Sequence, residues 1–212
     1  MTMDLIGTRR ALHGVAELVF AGPQHRRSGS IRLGVVQGGF ATVTEPRLRV
    51  VGSELVAGER VIPLNGTSCR ELGAAVEAEV GPPEGLYGDG SGVDPDEVLD
   101  VDAEAAEHLA QCFVRGDEAL RRLAPGSEPV LWPEHFDVAI VLDEVNYGVS
   151  PGDAYLSEPY AYVGPYRPRL GVFWNAPFGA ARPLRLLPGT TAVHAFFAEG
   201  RDRAVGDPVR EP

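Results

Sequence analysis

The chain has 212 residues, a formal net charge of −11, and 19 basic side chains, all of them arginine. Phosphate binding along an extended surface needs clustered positive charge, so this balance excludes a broad nucleic-acid interface. Cys69 and Cys112, the two cysteines, lie far apart and suggest buried thiols rather than a disulfide framework or a thiolate metal site. No run approaches the ~18 apolar residues of a membrane span, and the first residues lack a signal-peptide pattern. A cytoplasmic address with no membrane partner is therefore expected. A chain this long buries about 70% of its unfolded surface as one large domain or two small ones. The absence of lysine beside many Ala, Gly, Pro and Val points to a GC-rich bacterial genome.

Residues 8–21 place Leu12, Val15, Ala16 and Val19 at helical spacing, and Gly22-Pro23 reads as a stop. His13 and Glu17 fall one turn apart and are expected to pair. From Ser30 to Leu64, short β-prone runs are separated by Gly38-Gly39, Glu45-Pro46 and Gly52-Ser53, the signature of an antiparallel meander. Ser68 and Glu71 form a capping box opening a short helix. A loop rich in Gly, Pro and acids follows over 81–101. It reads as a lid or as a linker that divides 1–80 from 102–212 within an otherwise single domain, 1–212. Its DGSGVDPDE run has the composition of a calcium loop but not the EF-hand ligand order. Asp102 caps the clearest helix, with Ala105, Leu109, Cys112 and Phe113 on one side and a break expected at Gly116.

Residues 129–175 hold both tryptophans and five of the six tyrosines. Phe136, Val138, Ile140 and Leu142 alternate with Asp137, Ala139, Val141 and Asp143, so a strand with one apolar face is expected. On that period His135 and Asp137 project side by side from the other face. Tyr160 and Tyr162 share a face, Val172 and Trp174 read as a further strand, and NYGVSPGD and GPYRPRLG read as joining loops. The fold class expected is α+β: an antiparallel β-sheet or half-open barrel packed by three or four helices, with a cleft lined from 132 to 175.

The runs LWPEHFD, NYGVSPGD and EPYAYVGP are similar to those of an uncharacterised family of bacterial proteins. That resemblance spans most of the chain and implies a recurring fold, with no activity attached.

Clefts with a few convergent polar groups are the usual small-molecule sites. The preferred reading is binding of a small organic molecule, with Trp132, Tyr147, Asp153, Tyr160, Tyr162, Trp174 and Asn175 as binding residues. Acid–base chemistry would fall to His135 as base, oriented by Glu134 or Asp137. Whether the protein is an enzyme stays open, no cofactor is preferred, and a homo-oligomer is compatible with the sequence. An alternative makes His135, Asp137 and His194 a two-His-one-carboxylate iron site. Their spacing resembles that of iron and 2-oxoglutarate dependent oxygenases, and Arg201 or Arg203 would then hold an acidic co-substrate. Against it, 190–204 also reads as a capped helix with Val193, Phe196 and Phe197 inward. A third reading is a protein-interaction module exposing Tyr147, Tyr155 or Tyr166 as a patch.

Overall fold

The computed structural model describes residues 3–210. Two compact units emerge: unit 1 comprises 1–114 and 130–136, and unit 2 comprises 115–129 and 137–212. The 81–101 segment lies inside unit 1. The fold is α+β, with antiparallel strands and, among the described residues, four α- or π-helical segments at 5–28, 69–75, 103–123 and 189–206 and a 3-10 turn at Leu184–Leu186.

Unit 1 opens with a continuous helical segment of three parts: α1 (Leu5–Gly14), a π-helix (Val15–Ala21) and α2 (Gly22–Ser28). The expected stop at Gly22-Pro23 is not one. A π-helix bonds i to i+5, and the Gly22 amide donates to the Glu17 carbonyl at that spacing. Gly22-Pro23 then begins a fresh α-helical turn, where proline's missing N–H costs nothing. Every residue of the π-helix is buried.

The meander follows as β1 (Leu33–Val36), β2 (Gly39–Thr42), β3 (Arg49–Val51), β4 (Glu54–Ala57) and β5 (Arg60–Pro63), each antiparallel to the next. Strand β6 (Val130–Trp132) returns to pair with β1, Leu131 opposite Leu33. The order in this unit is β6-β1-β2-β3-β4-β5. The π-helix packs on β1 and β2. The short helix α3 (Cys69–Ala75) carries the anticipated capping box with both of its bonds.

Helix α4 (Ala103–Leu123) runs unbroken through Gly116. A Cβ at that position would meet Val138 and Val149 at 2.9 Å. The glycine is there for close helix–sheet approach, not for a break. Asp102 caps this helix as expected, its Oδ1 accepting from the Ala105 amide at 2.9 Å.

Unit 2 contains β7 (Asp137–Leu142), β8 (Val145–Ser150), β9 (Tyr160–Pro165) and β10 (Ala180–Pro183), antiparallel in the order β7-β8-β9-β10. Asn146–Ser150, expected in a loop, is strand. Val172 and Trp174, expected in a strand, lie outside one, and Val172 is 98% exposed. Helix α5 (Gly189–Gly206) covers β8 and β9, with Phe197 packed edge-on against the Tyr147 ring. Among the described residues the edge strands pair with each other in neither unit, so the strands form an open antiparallel sheet, as the sequence led one to expect, and not a closed barrel. No helix among the described residues is long and apolar enough to cross a membrane.

Candidate functional site

The strand that was to carry the His135–Asp137 pair begins only at Asp137. Residues 133–136 form a turn closed by the Phe136 amide donating to the Trp132 carbonyl at 2.8 Å. Phe136 takes a left-handed φ of 55°, a conformation that ends any alternation of faces. His135 therefore does not belong to the β7 pleat. Its side chain is 70% exposed, 3.9 Å from Glu134, whereas Asp137 is buried. In unit 2 the Tyr162 hydroxyl donates to Asp137, directly over Gly148, where a Cβ would sit 2.5 Å from the phenol. Burial and then the Asp137 charge push the Tyr162 phenol well above its ordinary range.

His194 lies on α5, not on a strand. Among the described residues no group of three His, Cys, Asp or Glu side chains is arranged to hold a metal ion. Three acids of the calcium-like run in unit 1 have other partners: Arg10 binds Glu97, Arg70 binds Asp96, and Asp94 Oδ1 accepts from the Asp96 amide at 2.8 Å.

Several expected binding residues of unit 2 have structural partners. Asp153 accepts from the amides of Tyr155 and Leu156 and from the Tyr160 hydroxyl at 2.5 Å, fixing the loop before β9. Trp174 Nε1 donates to Asp207 at 2.9 Å. Asn175 exchanges two bonds with the Ala181 backbone, at 2.9 and 3.1 Å. Trp132, in unit 1, is half-buried on β6. Tyr155 and Tyr166 are exposed, but Tyr147 is wholly buried and takes no part in a surface patch.

The expected His13–Glu17 pair is also replaced, because each side chain has another hydrogen-bond partner. His13 Nε2 donates to the Pro133 carbonyl at 2.7 Å and its ring stacks on Phe136. Glu17, buried, accepts from the Ser91 amide and hydroxyl at 2.7 and 2.6 Å, which ties the 81–101 loop to the helix. Burial holds the His13 imidazole below its usual range, outweighing the Pro133 carbonyl and the Glu17 charge. Such a histidine favours the fold while neutral. Its contribution is complete above the unfolded pKa of ~6.5 and declines as pH falls through that value, because the unfolded chain then binds the proton more readily. The melting temperature is expected to drop between pH 7 and about pH 5.5, and to drop less in His13→Gln, measured by thermal unfolding over that range.

One cavity in unit 2 gathers groups of a different kind. It has a volume of about 180 Å³ and is lined by Asp143, Glu144, Val145, Tyr147, Pro165, Arg167, Arg169, Arg201, Ala204 and Val205. Register explains the assembly: Val145 opposes Pro165 and Tyr147 opposes Val163, so the same face of β8 and the end of β9 meet α5. The tip of the β7–β8 hairpin forms the rim. Asp143 and Glu144 make a two-residue turn with φ of 53° and 59°, a geometry that usually takes Asn-Gly. Left-handed backbone in residues with a Cβ costs about 1–2 kcal/mol each, and such strain concentrates at functional sites. Arg201 reaches Asp143 at 3.1 Å across the rim, and the Tyr166 amide donates to the Glu144 carbonyl at 2.9 Å.

Two of these lining residues each carry a buried polar atom with no hydrogen-bond partner among the described residues: the Tyr147 hydroxyl and Arg169 Nε. Arg169 directs another nitrogen, Nη1, to the Asp207 carbonyl at 3.4 Å. Burial pushes the Tyr147 phenol up to about 12, so at neutral pH it is a donor. Buried donors are nearly always satisfied, and each exception needs a reason. Of the expected binding residues only Tyr147 lines the cavity. The arginines of YRPRLG and the helical Arg201 were visible in the sequence but not their convergence.

No family model, curated protein or solved structure matches this chain.

Proposed function

We propose that this protein binds a small organic molecule in the unit 2 cavity. One observation carries the reading: two residues that line a single cavity, Tyr147 and Arg169, each hold a buried polar atom, the hydroxyl and Nε, with no hydrogen-bond partner among the described residues. An unmet buried donor costs about 1–3 kcal/mol, and a ligand acceptor removes that cost. The volume of about 180 Å³ exceeds the ~150 Å³ that accommodates benzene and lies below the ~300 Å³ at which drug-sized pockets begin. A small metabolite fits and a nucleotide does not. The reading places recognition on Tyr147 and the arginines rather than on His135, Glu134 and Asp137.

A thermal-shift screen of small cations, neutral compounds and anions tests this, with wild type beside Ala204→Met, which fills the cavity. At least one compound is expected to stabilise wild type and not the filled variant. Failure of every compound, or equal stabilisation of both proteins, would overturn the proposal. A further expectation concerns the free protein. Tyr147→Phe deletes a hydroxyl that has no partner, so the unliganded variant should melt no lower than wild type, and up to about 1 kcal/mol of stability should be gained. A hydroxyl with a structural bond would instead cost about that much when removed.

A further inference from the structure

We infer that the ligand of this cavity is a small monocarboxylate with an apolar body, its carboxylate taken by the Nε edge of Arg169 and by the Tyr147 hydroxyl; the inference rests on the binding role proposed above. Arg169 Nε can only donate and the Tyr147 hydroxyl can donate beside it, so the ligand group that meets both must bring acceptors, which an ammonium or guanidinium group lacks. A guanidinium presents its donors in a planar fork that matches the two oxygens of a carboxylate, and charge-assisted bonds of this kind are about twice as strong as neutral ones. Arg169 spends Nη1 on a carbonyl and keeps Nε unmet.

Charge points the same way. The chain as a whole carries −11, yet this one cavity gathers Arg167, Arg169 and Arg201 against Asp143 and Glu144. Arg201 is already paired with Asp143 at the rim, which leaves two guanidiniums facing one carboxylate. That local excess of one positive charge is balanced by a single negative charge, whereas a phosphate-like dianion would leave one negative charge uncompensated in a partly buried site. Val145, Pro165 and Ala204 supply the apolar wall, and a body about the size of a benzene ring fills the volume beside them.

The test is a chemical-shift titration of the whole protein with acetate, butyrate and benzoate, each beside its primary amide, and with inorganic phosphate. Wild type is expected to bind benzoate or butyrate at least about tenfold more tightly than the matching amide or phosphate. Arg169→Gln should weaken the carboxylate about ten- to a hundredfold, as loss of a charged bidentate contact does. Tyr147→Phe should weaken it by about threefold to tenfold without lowering the melting temperature. Amides that bind as well as carboxylates, and that Ala204→Met still excludes, would overturn the carboxylate assignment while leaving the cavity as a binding site. Preference for phosphate would overturn it likewise. If none of these probes binds but the broader screen yields a ligand that Ala204→Met excludes, the assignment alone fails. If that screen is empty as well, the binding reading itself fails.

Discussion

Gly22→Ala is expected to destabilise unit 1, although alanine is the better helix former by about 1 kcal/mol. A Cβ on Gly22 would lie 1.7 Å from the Gly81 carbonyl oxygen. The obstacle is backbone, so no rotamer change relieves it. The 81–101 segment must lift from the π-helix, and it is anchored there by the Gly81 amide on the Leu18 carbonyl at 3.0 Å and by Ser91 on Glu17. Overpacking of this kind costs about 1–3 kcal/mol and sometimes more. The gain in propensity is too small to offset both the clash and the lost contacts, so a net loss of about 2 kcal/mol follows. For a chain of this size that is a fall of about 4–8 °C in melting temperature. Limited proteolysis should cut the variant between 81 and 101 faster than wild type. A variant as stable and as resistant as wild type would show that the loop does not rest on the helix.

Phe136→Ala should produce the largest loss of stability, about 3–5 kcal/mol. The ring is 1% exposed. It stacks on His13 and meets Phe40 and Phe113 edge-on, with centroids 5.1–5.5 Å away, so its removal opens a cavity among three aromatic neighbours. Left-handed φ adds strain for any residue except glycine. Phe136→Leu, which keeps most of the volume, should lose considerably less. Equilibrium denaturation of both variants decides this, and equal losses would mean that packing of the ring is not what stabilises the turn.

The two predictions mark where sequence reading succeeded and where it stopped. The meander of 33–63 was legible because glycine-containing turns punctuate alternating runs. The capping box at Ser68 and Glu71 and the amphipathic helix after Asp102 were legible because their signals are local. The π-helix was not, since one extra residue per turn leaves the same apolar run of letters, and Gly22-Pro23 then looks like a stop. Phe136 defeats alternation for a related reason: it is apolar at an apolar position, while its backbone turns the chain just ahead of β7.

The cavity was out of reach for a topological reason. Tyr147 was singled out for its aromatic setting, but Arg167, Arg169 and Arg201 join it only through the β8–β9 register and the docking of α5. Arg201 was marked as a holder of an acidic group, though beside His194 rather than Tyr147. In a chain whose basic residues are all arginine, no single arginine stands out by type, and only the unmet Nε distinguishes Arg169.

The most direct measurement is a ¹H–¹⁵N spectrum of the arginine Nε–H groups during titration with benzoate. The Arg169 resonance is assigned as the one missing from Arg169→Gln. It should move downfield as an acceptor arrives and saturate with the same apparent Kd as the backbone amides of Val145 and Ala204. An Arg169 resonance that stays in place under benzoate, and under every other compound that stabilises the protein, would contradict the account.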